Sequence, residues 1–268
     1  MIQITRNDLE RNVPVAQTAT DDLLEAVMPF IETAQDVALE TITGDVGEKA
    51  LLAEGNERLK ASYVAMACAK GFRSALRELD LVVTPTGFGV VSTETLSPAS
   101  KDRVNALKEH LDEISLGHEA RLVDGLRKVE GWGETAQAAI AIPTVMTAWS
   151  WLYKYGFSQP EWQEAQEHIR RADTKTRALL GDRMVDEALA DLRTDGDRLT
   201  ALLAEMERYA LYHVSGAPIQ RKEQARRLLR LAESDRELYK AYHESEQYKA
   251  RHEERFENTK DSTAYLFG

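Results

Sequence analysis

Apolar side chains recur every three or four residues through most of the sequence, which predicts a mainly α-helical protein, a multi-helix bundle. The first run follows the N-cap residues of Thr20–Asp22 and ends at Gly44, a glycine suited to a left-handed helix cap. Pro29 lies inside this run and predicts a kink or an early break. A second run covers 47–79 and is predicted to form one long helix.

The pattern changes at 81–92, where the apolar residues no longer follow a helical period. Residues 81–84 are strand formers, Pro85–Gly87 has the composition of a turn, and Phe88 begins a second apolar run. This predicts one β-hairpin in an otherwise helical protein. Because a lone two-stranded hairpin is marginally stable in water, we expect it to lie on helices of its own subunit or to project onto a partner.

Helical spacing returns after the hairpin. Ser97–Pro98 predicts the start of a helix that reaches about residue 129, with an interruption at Leu116–Gly117. Gly131–Gly133 predicts a break and a domain boundary. The next helix is predicted to begin at Ser158 and to end at Gly181, and its buried face is expected to include Trp162, Ala165, Ile169, Ala172, Thr176 and Leu179. Further helical runs follow, and the last of them is expected to cover about 218–255.

These elements divide the chain into four parts. Residues 1–19 lack a core pattern of their own and are predicted to form an extended N-terminal arm. Residues 20–130, which carry the hairpin, and residues 134–255 are predicted to form two helical domains, and 256–268 a C-terminal tail. The helices of the two domains follow a similar order, and both a duplicated unit and a chance likeness of helical hairpins stay open.

Composition restricts the partners. There are 45 acidic and 34 basic residues, and the resulting net charge of −11 does not suit a general electrostatic grip on nucleic acid. Cys68 is the one cysteine, which excludes an internal disulfide, and its apolar helical surroundings predict burial. The first residues lack the charged and apolar regions of a signal peptide, so none is expected.

One stretch has the length of a membrane span. Residues 135–153 carry no charge and are just long enough to cross a bilayer. Their Ala and Thr content and Pro143 instead favour a buried pair of helices that is broken at the proline. We therefore expect no membrane partner.

Candidate chemistry is sparse. The six histidines do not form the pairs typical of zinc or di-iron sites, so they are predicted to be solvated or capping. Gly87–Gly89 lacks the third glycine and the following helix of a dinucleotide-binding loop, and Cys68 has no activating partner nearby in the sequence. We predict no catalytic, cofactor-binding or metal site, and we do not expect an enzyme.

Three segments favour assembly instead: the N-terminal arm, the hairpin and the C-terminal tail. An unpaired strand edge of the hairpin can be completed by a strand from a partner. The tail ends in an apolar triplet that can dock on a neighbour. The candidate interaction residues are Thr84, Pro85, Thr86, Gly87, Phe88, Tyr265, Leu266 and Phe267.

Two segments carry a family resemblance. The helix from Asp21 to Asp45 resembles the opening helix of phage head–tail connector (adaptor) proteins, with paired acidic residues, an apolar stripe including Ile31 and Ala34, and a Thr-Gly stop. The segment from Leu81 to Val104 is similar to a poorly characterised family from phages and prophages of Bacteroidetes. In that family a hairpin of the TPTGFGVV kind precedes a helix of the PASKxRV kind.

This resemblance implies a structural virion protein at the head–tail junction, made in the host bacterial cytoplasm. Copies would form a homo-oligomeric ring, twelve-fold in such adaptors, between the portal protein and the tail or neck proteins. Genomic DNA would pass through the ring without sequence-specific binding. The alternative is a soluble helical binding module or regulator, acting as monomer or dimer, in which the aromatic segment Trp149–Phe157 lines a ligand cleft.

Overall fold

The computed structural model describes residues 2–18, 21–79, 82–84, 87–89 and 100–252. These residues are mainly helical, which confirms the predicted fold class. The first helices are α1 (Arg6–Asn12), α2 (Asp21–Ala38), α3 (Gly44–Leu52), α4 (Glu57–Leu79) and α5 (Lys101–Leu126). The later helices are α6 (Ala136–Ala141), α7 (Gln159–Leu180), α8 (Asp182–Arg193), α9 (Thr200–Val214), α10 (Pro218–Ser234), α11 (Lys240–His243) and α12 (Glu246–His252). Single π-helical turns cover Leu39–Thr43 and Ser150–Lys154, and short 3₁₀ turns cover Pro14–Thr18 and Trp132–Glu134.

Two three-residue strands lie between α4 and α5. They are β1 (Val82–Thr84) and β2 (Gly87–Gly89), and they pair antiparallel. The register places Val82 opposite Gly89, Val83 opposite Phe88 and Thr84 opposite Gly87. The other residues of the segment 81–92 lie outside the described residues, so a hairpin of the full predicted length stays a prediction.

Buried apolar side chains form two clusters that succeed one another along the chain. The first core extends from Ile2 to Ile142, and the second core extends from Val145 to Tyr242. The predicted boundary at Gly131–Gly133 is not where the core changes, because Trp132 is fully buried in the first core. The change falls about ten residues later, at Pro143–Thr144.

The N-terminal segment is not an extended arm, and that prediction is wrong. Thr5 and Asp8 form a capping box that starts α1, in which the Asp8 carboxylate accepts from the Thr5 backbone N–H at 2.9 Å. The apolar side chains of the segment are buried in the first core: Ile2, Ile4, Leu9, Val13 and Ala16. A helix of seven residues shows too few periodic positions to be recognised from the sequence, and tertiary packing decides its position.

Several helix breaks predicted from glycine and proline in the first half differ from those in the structure. The helix predicted for 47–79 is divided into α3 and α4, with Gly55 between them at φ +88°. In α2 the helix continues through Pro29 without the predicted early break. Helix α5 likewise runs unbroken past Leu116–Gly117, and it begins at Lys101 with Ser100 as its N-cap. Ser97–Pro98 lies outside the described residues.

In the second half, the predicted run from Ser158 to Gly181 is confirmed as α7, which has a capping box at Ser158 and ends at Gly181. The long helix predicted over 218–255 is wrong, because the chain forms α10, α11 and α12 instead. The Asp235 carboxylate accepts from the backbone N–H groups of Glu237 and Leu238, at 3.0 and 2.9 Å. This side chain competes with helical bonding and ends α10.

The uncharged stretch 135–153 crosses from one core to the other. It contains α6, a loop through Pro143 and the first four residues of the π-helical turn Ser150–Lys154, rather than the predicted pair of helices. In the described part of the chain, no helix combines the length and hydrophobicity that crossing a bilayer requires.

Hydrogen bonds from two arginine side chains join the two halves of the chain. Arg193 on α8 donates from Nε and Nη2 to the carbonyl of Ile142, at 3.0 and 2.8 Å. Arg127, just after α5, donates from Nε to the carbonyl of Leu192 at 2.5 Å, and its Nη2 lies 3.0 Å from Asp195. Because the acceptors are mostly main-chain carbonyls, the sequence gives no signal for these bonds. They join the end of α5 and the residue Ile142 to α8.

Candidate functional site

A groove lies where the two halves meet. The junction groove has a volume of about 710 Å³ and is bounded by α2, α4 and α5 on one side and α7 on the other. A second, more enclosed cavity of about 260 Å³, the inner pocket, lies between α5, α7 and the loop 143–149. Both are lined by Glu119, Trp162 and Gln166, so the two cavities are adjacent.

The charges of the junction groove are paired across α4 and α5. Lys70 Nζ lies 2.5 Å from the Glu119 carboxylate, and Arg73 Nε lies 3.2 Å from the Asp112 carboxylate. All four side chains are partly exposed, so each pair adds little stability. The pairs leave the groove without an excess of either charge. Its apolar wall comes from Phe30, Ala34 and Val37 of α2, Leu116 of α5 and Trp162 of α7.

The inner pocket is mainly apolar with a few polar groups, which is typical of small-molecule sites. Its apolar and aromatic side chains are Ala120, Val123, Ala141, Pro143, Met146, Ala148, Trp149, Trp162 and Ile169. Trp149 is 37% exposed and lies at the rim. The other aromatic residues predicted to line a cleft do not line this pocket. Trp151 instead lies in the second core, where Phe157 packs on it with ring centroids 4.4 Å apart.

One of the two cationic side chains that line the inner pocket has no charged partner within the described residues. Glu119 pairs with Lys70, and Asp124 pairs with Arg127 and Lys128. Arg170 is an exposed residue that lines the pocket, and its guanidinium has no hydrogen bond or ion pair within the described residues. Sequence reasoning missed this site, because Trp162, Gln166, Ile169 and Arg170 give the same i, i+4, i+7, i+8 spacing as any buried helix face.

A buried carboxylate holds the aromatic segment onto α9. Glu207 is only 5% exposed and accepts hydrogen bonds from Lys154 Nζ and from Tyr155 Oη, the latter at 3.0 Å. Burial, followed by the negative charge of Glu207, raises the pKa of Tyr155. Both donors lie at the end of the π-helical turn Ser150–Lys154, so Glu207 fixes where this turn sits.

Replacing Lys154 with methionine is expected to lower the free energy of unfolding by about 1–2 kcal/mol, because Glu207 would lose a charged donor while remaining buried. Urea titration followed by circular dichroism measures the change. Arg171→Met is the matched control, since Arg171 pairs with Glu167 where both side chains are mostly exposed. The control is expected to change stability by less than about 0.5 kcal/mol. Equal changes in the free energy of unfolding for the two variants would show that the bond from Lys154 to Glu207 adds no more stability than an exposed ion pair.

Three histidines depart from the predicted solvated or capping state. Within the described residues, Nδ1 of His118 and Nε2 of His213 and of His243 are buried without a hydrogen-bond partner. The ring of His213 packs edge-on against Tyr209, with centroids 4.7 Å apart. His252 fits the prediction better, because its Nδ1 lies 2.9 Å from the backbone oxygen of Tyr248.

Stability is expected to fall as the pH falls below about 6.5, the ordinary histidine pKa. Burial, followed by Arg221, Lys175 and His168, lowers the pKa of His213 in the folded protein. The unfolded chain then binds the proton more readily, so protonation favours unfolding. Urea midpoints between pH 7.5 and pH 5 measure the effect. His213→Phe, which keeps a ring against Tyr209, is expected to reduce the loss.

The exposed His110→Gln serves as the control for that substitution. An unchanged pH dependence in His213→Phe would contradict the account of His213.

The predicted interaction residues divide into two groups. Thr84, Gly87 and Phe88 belong to the paired strands β1 and β2. Pro85, Thr86, Tyr265, Leu266 and Phe267 lie outside the described residues.

Cys68 is buried as predicted, and burial raises the pKa of its thiol to about 12, so it stays protonated at neutral pH. Within the described ranges, no group of three or more His, Cys, Asp or Glu side chains is placed to hold a metal ion.

The comparisons with known proteins bear on the first half of the chain. A family model described as a family of unknown function, DUF6712, matches residues 7–141, half of the chain. The match begins after Ile2 and Ile4 and ends one residue before Ile142, so it covers all of the first core except these three residues. No curated protein and no solved structure matches the chain. The chain belongs to the DUF6712 family, whose function is unknown.

Proposed function

We propose that the protein is a structural component of a phage virion, a head–tail connector subunit. Copies form a ring that joins the portal protein to the tail or neck proteins and lets genomic DNA pass. Support comes from the resemblance of Asp21–Asp45 to the opening helix of such adaptors and of Leu81–Val104 to a family of phages and prophages. Both segments lie within the range that the family model matches.

The observation that carries this proposal is the antiparallel pair of β1 and β2. Among the described residues the sheet consists of these two strands, so each has one edge without a strand partner in that part of the chain. Such an edge can accept a strand from a neighbouring copy or from the portal. The ribbon formed by β1 and β2 lies between α4 and α5 in the chain, and these two helices pack along each other.

Two further properties fit a ring subunit. The N-terminal segment keeps its apolar residues in the first core, so assembly would use the ribbon and the tail 256–268 rather than an N-terminal arm. The net charge of −11 suits a channel wall that repels phosphate and lets DNA slide.

Native mass spectrometry of the full chain, alone and with its portal protein, tests the proposal. We expect a closed ring whose mass is a multiple of 30.1 kDa, and Phe88→Asp is expected to lower the ring fraction at least about tenfold. Ile219→Asp is the control, because Ile219 is an apolar residue of α10 that is 77% exposed and distant in sequence from the ribbon. A chain that stays at 30.1 kDa and never binds portal rings would contradict the proposal.

A second candidate function is favoured by the inner pocket. A soluble binding module, working as monomer or dimer, would use the pocket beside Trp149 for a ligand. Saturable ligand binding by a protein that does not form rings would favour this candidate over the connector.

A further inference from the structure

We propose that the inner pocket binds a small carboxylate with an apolar or aromatic body. This inference gives a ligand class to the second candidate function and rests on it. It is separate from ring formation, which the connector proposal requires.

The volume and the apolar wall of the pocket indicate the size and the apolar character of the ligand. Its volume of about 260 Å³ is just below the range of about 300–1,000 Å³ typical of drug-sized ligands, so a small molecule fits. Met146 and Ile169, both almost fully buried, supply apolar contacts deep in the wall. Trp149 and Trp162 offer ring faces on which a flat or aliphatic group can pack.

The charged side chains that line the pocket indicate which polar group the ligand carries. Arg127, the other cation of the pocket, is engaged by Asp124, by Asp195 and by the carbonyl of Leu192. Both acids that line the pocket are also engaged, as described above. Among the charged residues that line the pocket, Arg170 alone has a side chain without a hydrogen bond or ion pair to the described residues. A carboxylate can bind such a guanidinium through two parallel hydrogen bonds.

The neutral polar groups do not compete for this role. The Thr144 hydroxyl donates to the carbonyl of Met146 at 3.3 Å, and the Thr147 hydroxyl is 3.3 Å from Ser150 Oγ. The Gln166 amide donates to the carbonyl of Trp162 at 3.2 Å. Each of these groups already makes a local hydrogen bond and none carries a charge, so the preference for an anionic over a neutral ligand should depend on Arg170. Inorganic phosphate would satisfy Arg170 but would leave the apolar wall uncovered.

Calorimetric titration of the full chain with phenylacetate and octanoate tests the inference. Both acids are expected to bind saturably to one site per chain. Phenylacetamide, which keeps the ring but lacks the charge, is expected to bind at least about tenfold more weakly than phenylacetate. Quenching of tryptophan fluorescence by octanoate should report the same affinity, since Trp149 and Trp162 line the site.

Matched variants assign the charge. Arg170→Gln is expected to weaken phenylacetate binding at least about tenfold and to leave phenylacetamide binding unchanged. Arg171→Gln, at the next position of α7 and paired with Glu167, is expected to bind like the wild type. Circular dichroism checks that both fold. Absence of saturable binding of either acid, or equal affinity of Arg170→Gln and the wild type, would overturn the inference. Neither outcome would affect ring formation, so failure of the ligand and failure of the connector are distinguishable.

Discussion

Replacing Trp132 with alanine is expected to lower the free energy of unfolding by about 3–5 kcal/mol, the range for a fully buried aromatic side chain. Trp132 belongs to the first core and is fully buried there. Its Nε1 also donates to the carbonyl of Ile42 at 2.9 Å, a bond between positions 90 residues apart. The alanine variant therefore loses both the buried ring and the donor to a carbonyl in the π-helical turn Leu39–Thr43.

Trp132→Phe separates the two contributions. Phenylalanine keeps most of the ring contact but leaves the Ile42 carbonyl without its donor, so we expect a loss of about 1–3 kcal/mol. Urea unfolding measures both variants. Trp149→Phe is the control, since Trp149 is partly exposed at the rim of the inner pocket, and it should change stability by less than about 0.5 kcal/mol. If Trp132→Ala were as stable as the control, Trp132 would not be a core residue.

Replacing Gly71 with alanine is expected to lower the free energy of unfolding by about 2–3 kcal/mol. At an ordinary position inside a helix this substitution stabilises by up to about 1 kcal/mol, so the expected sign is reversed. The reason is the close approach of α2 to α4. A Cβ atom at Gly71 would lie 2.6 Å from Cα and 2.7 Å from the backbone N of Ile31, and a backbone cannot turn aside as a side chain can.

Gly117→Ala is the matched control within α5. Its Cβ would meet Tyr153 Oη at 3.3 Å, which is the end of a partly exposed side chain that can move. Thermal and urea unfolding should show no loss, or a gain of up to about 1 kcal/mol, for Gly117→Ala. Equal stability of Gly71→Ala and the wild type would mean that α2 and α4 are farther apart than described.

The helical class could be predicted from the sequence because long periodic faces determine it. Helix α7 shows this, since Ala165, Ile169, Ala172 and Thr176 are buried at the predicted spacing and Ser158 and Gly181 bound the helix. The hydrophobic pattern was insufficient where a single residue determines the end of a helix. Gly55 divides one expected helix into two, and Asp235 ends another through hydrogen bonds to the backbone.

The N-terminal segment and the inner pocket could not be predicted for a different reason. The burial of Ile2 and Leu9 depends on a core built by distant helices, and a seven-residue helix has no reliable periodicity. The pocket likewise combines α5 with α7, and the two halves of the chain are joined by bonds from Arg127 and Arg193 to main-chain carbonyls. A carbonyl acceptor is present at every residue, so no residue type marks it.

The family model matches residues of the first core and none of the second. The range 7–141 contains most of the first core together with β1 and β2, which carry the connector proposal. Helix α7 lies outside that range, so one wall of the inner pocket comes from the half that the family model does not match. We therefore expect the subunit contacts of β1 and β2 to depend on residues of the first half, and ligand binding to depend on both halves.

Electron microscopy of the purified chain mixed with its portal protein tests the central claim most directly. The connector account predicts class averages in which an additional ring of this chain lies on the portal, with density from the segment that carries β1 and β2 reaching a neighbouring subunit or the portal. Unchanged portal rings, with the chain remaining a separate 30.1 kDa particle, would contradict it.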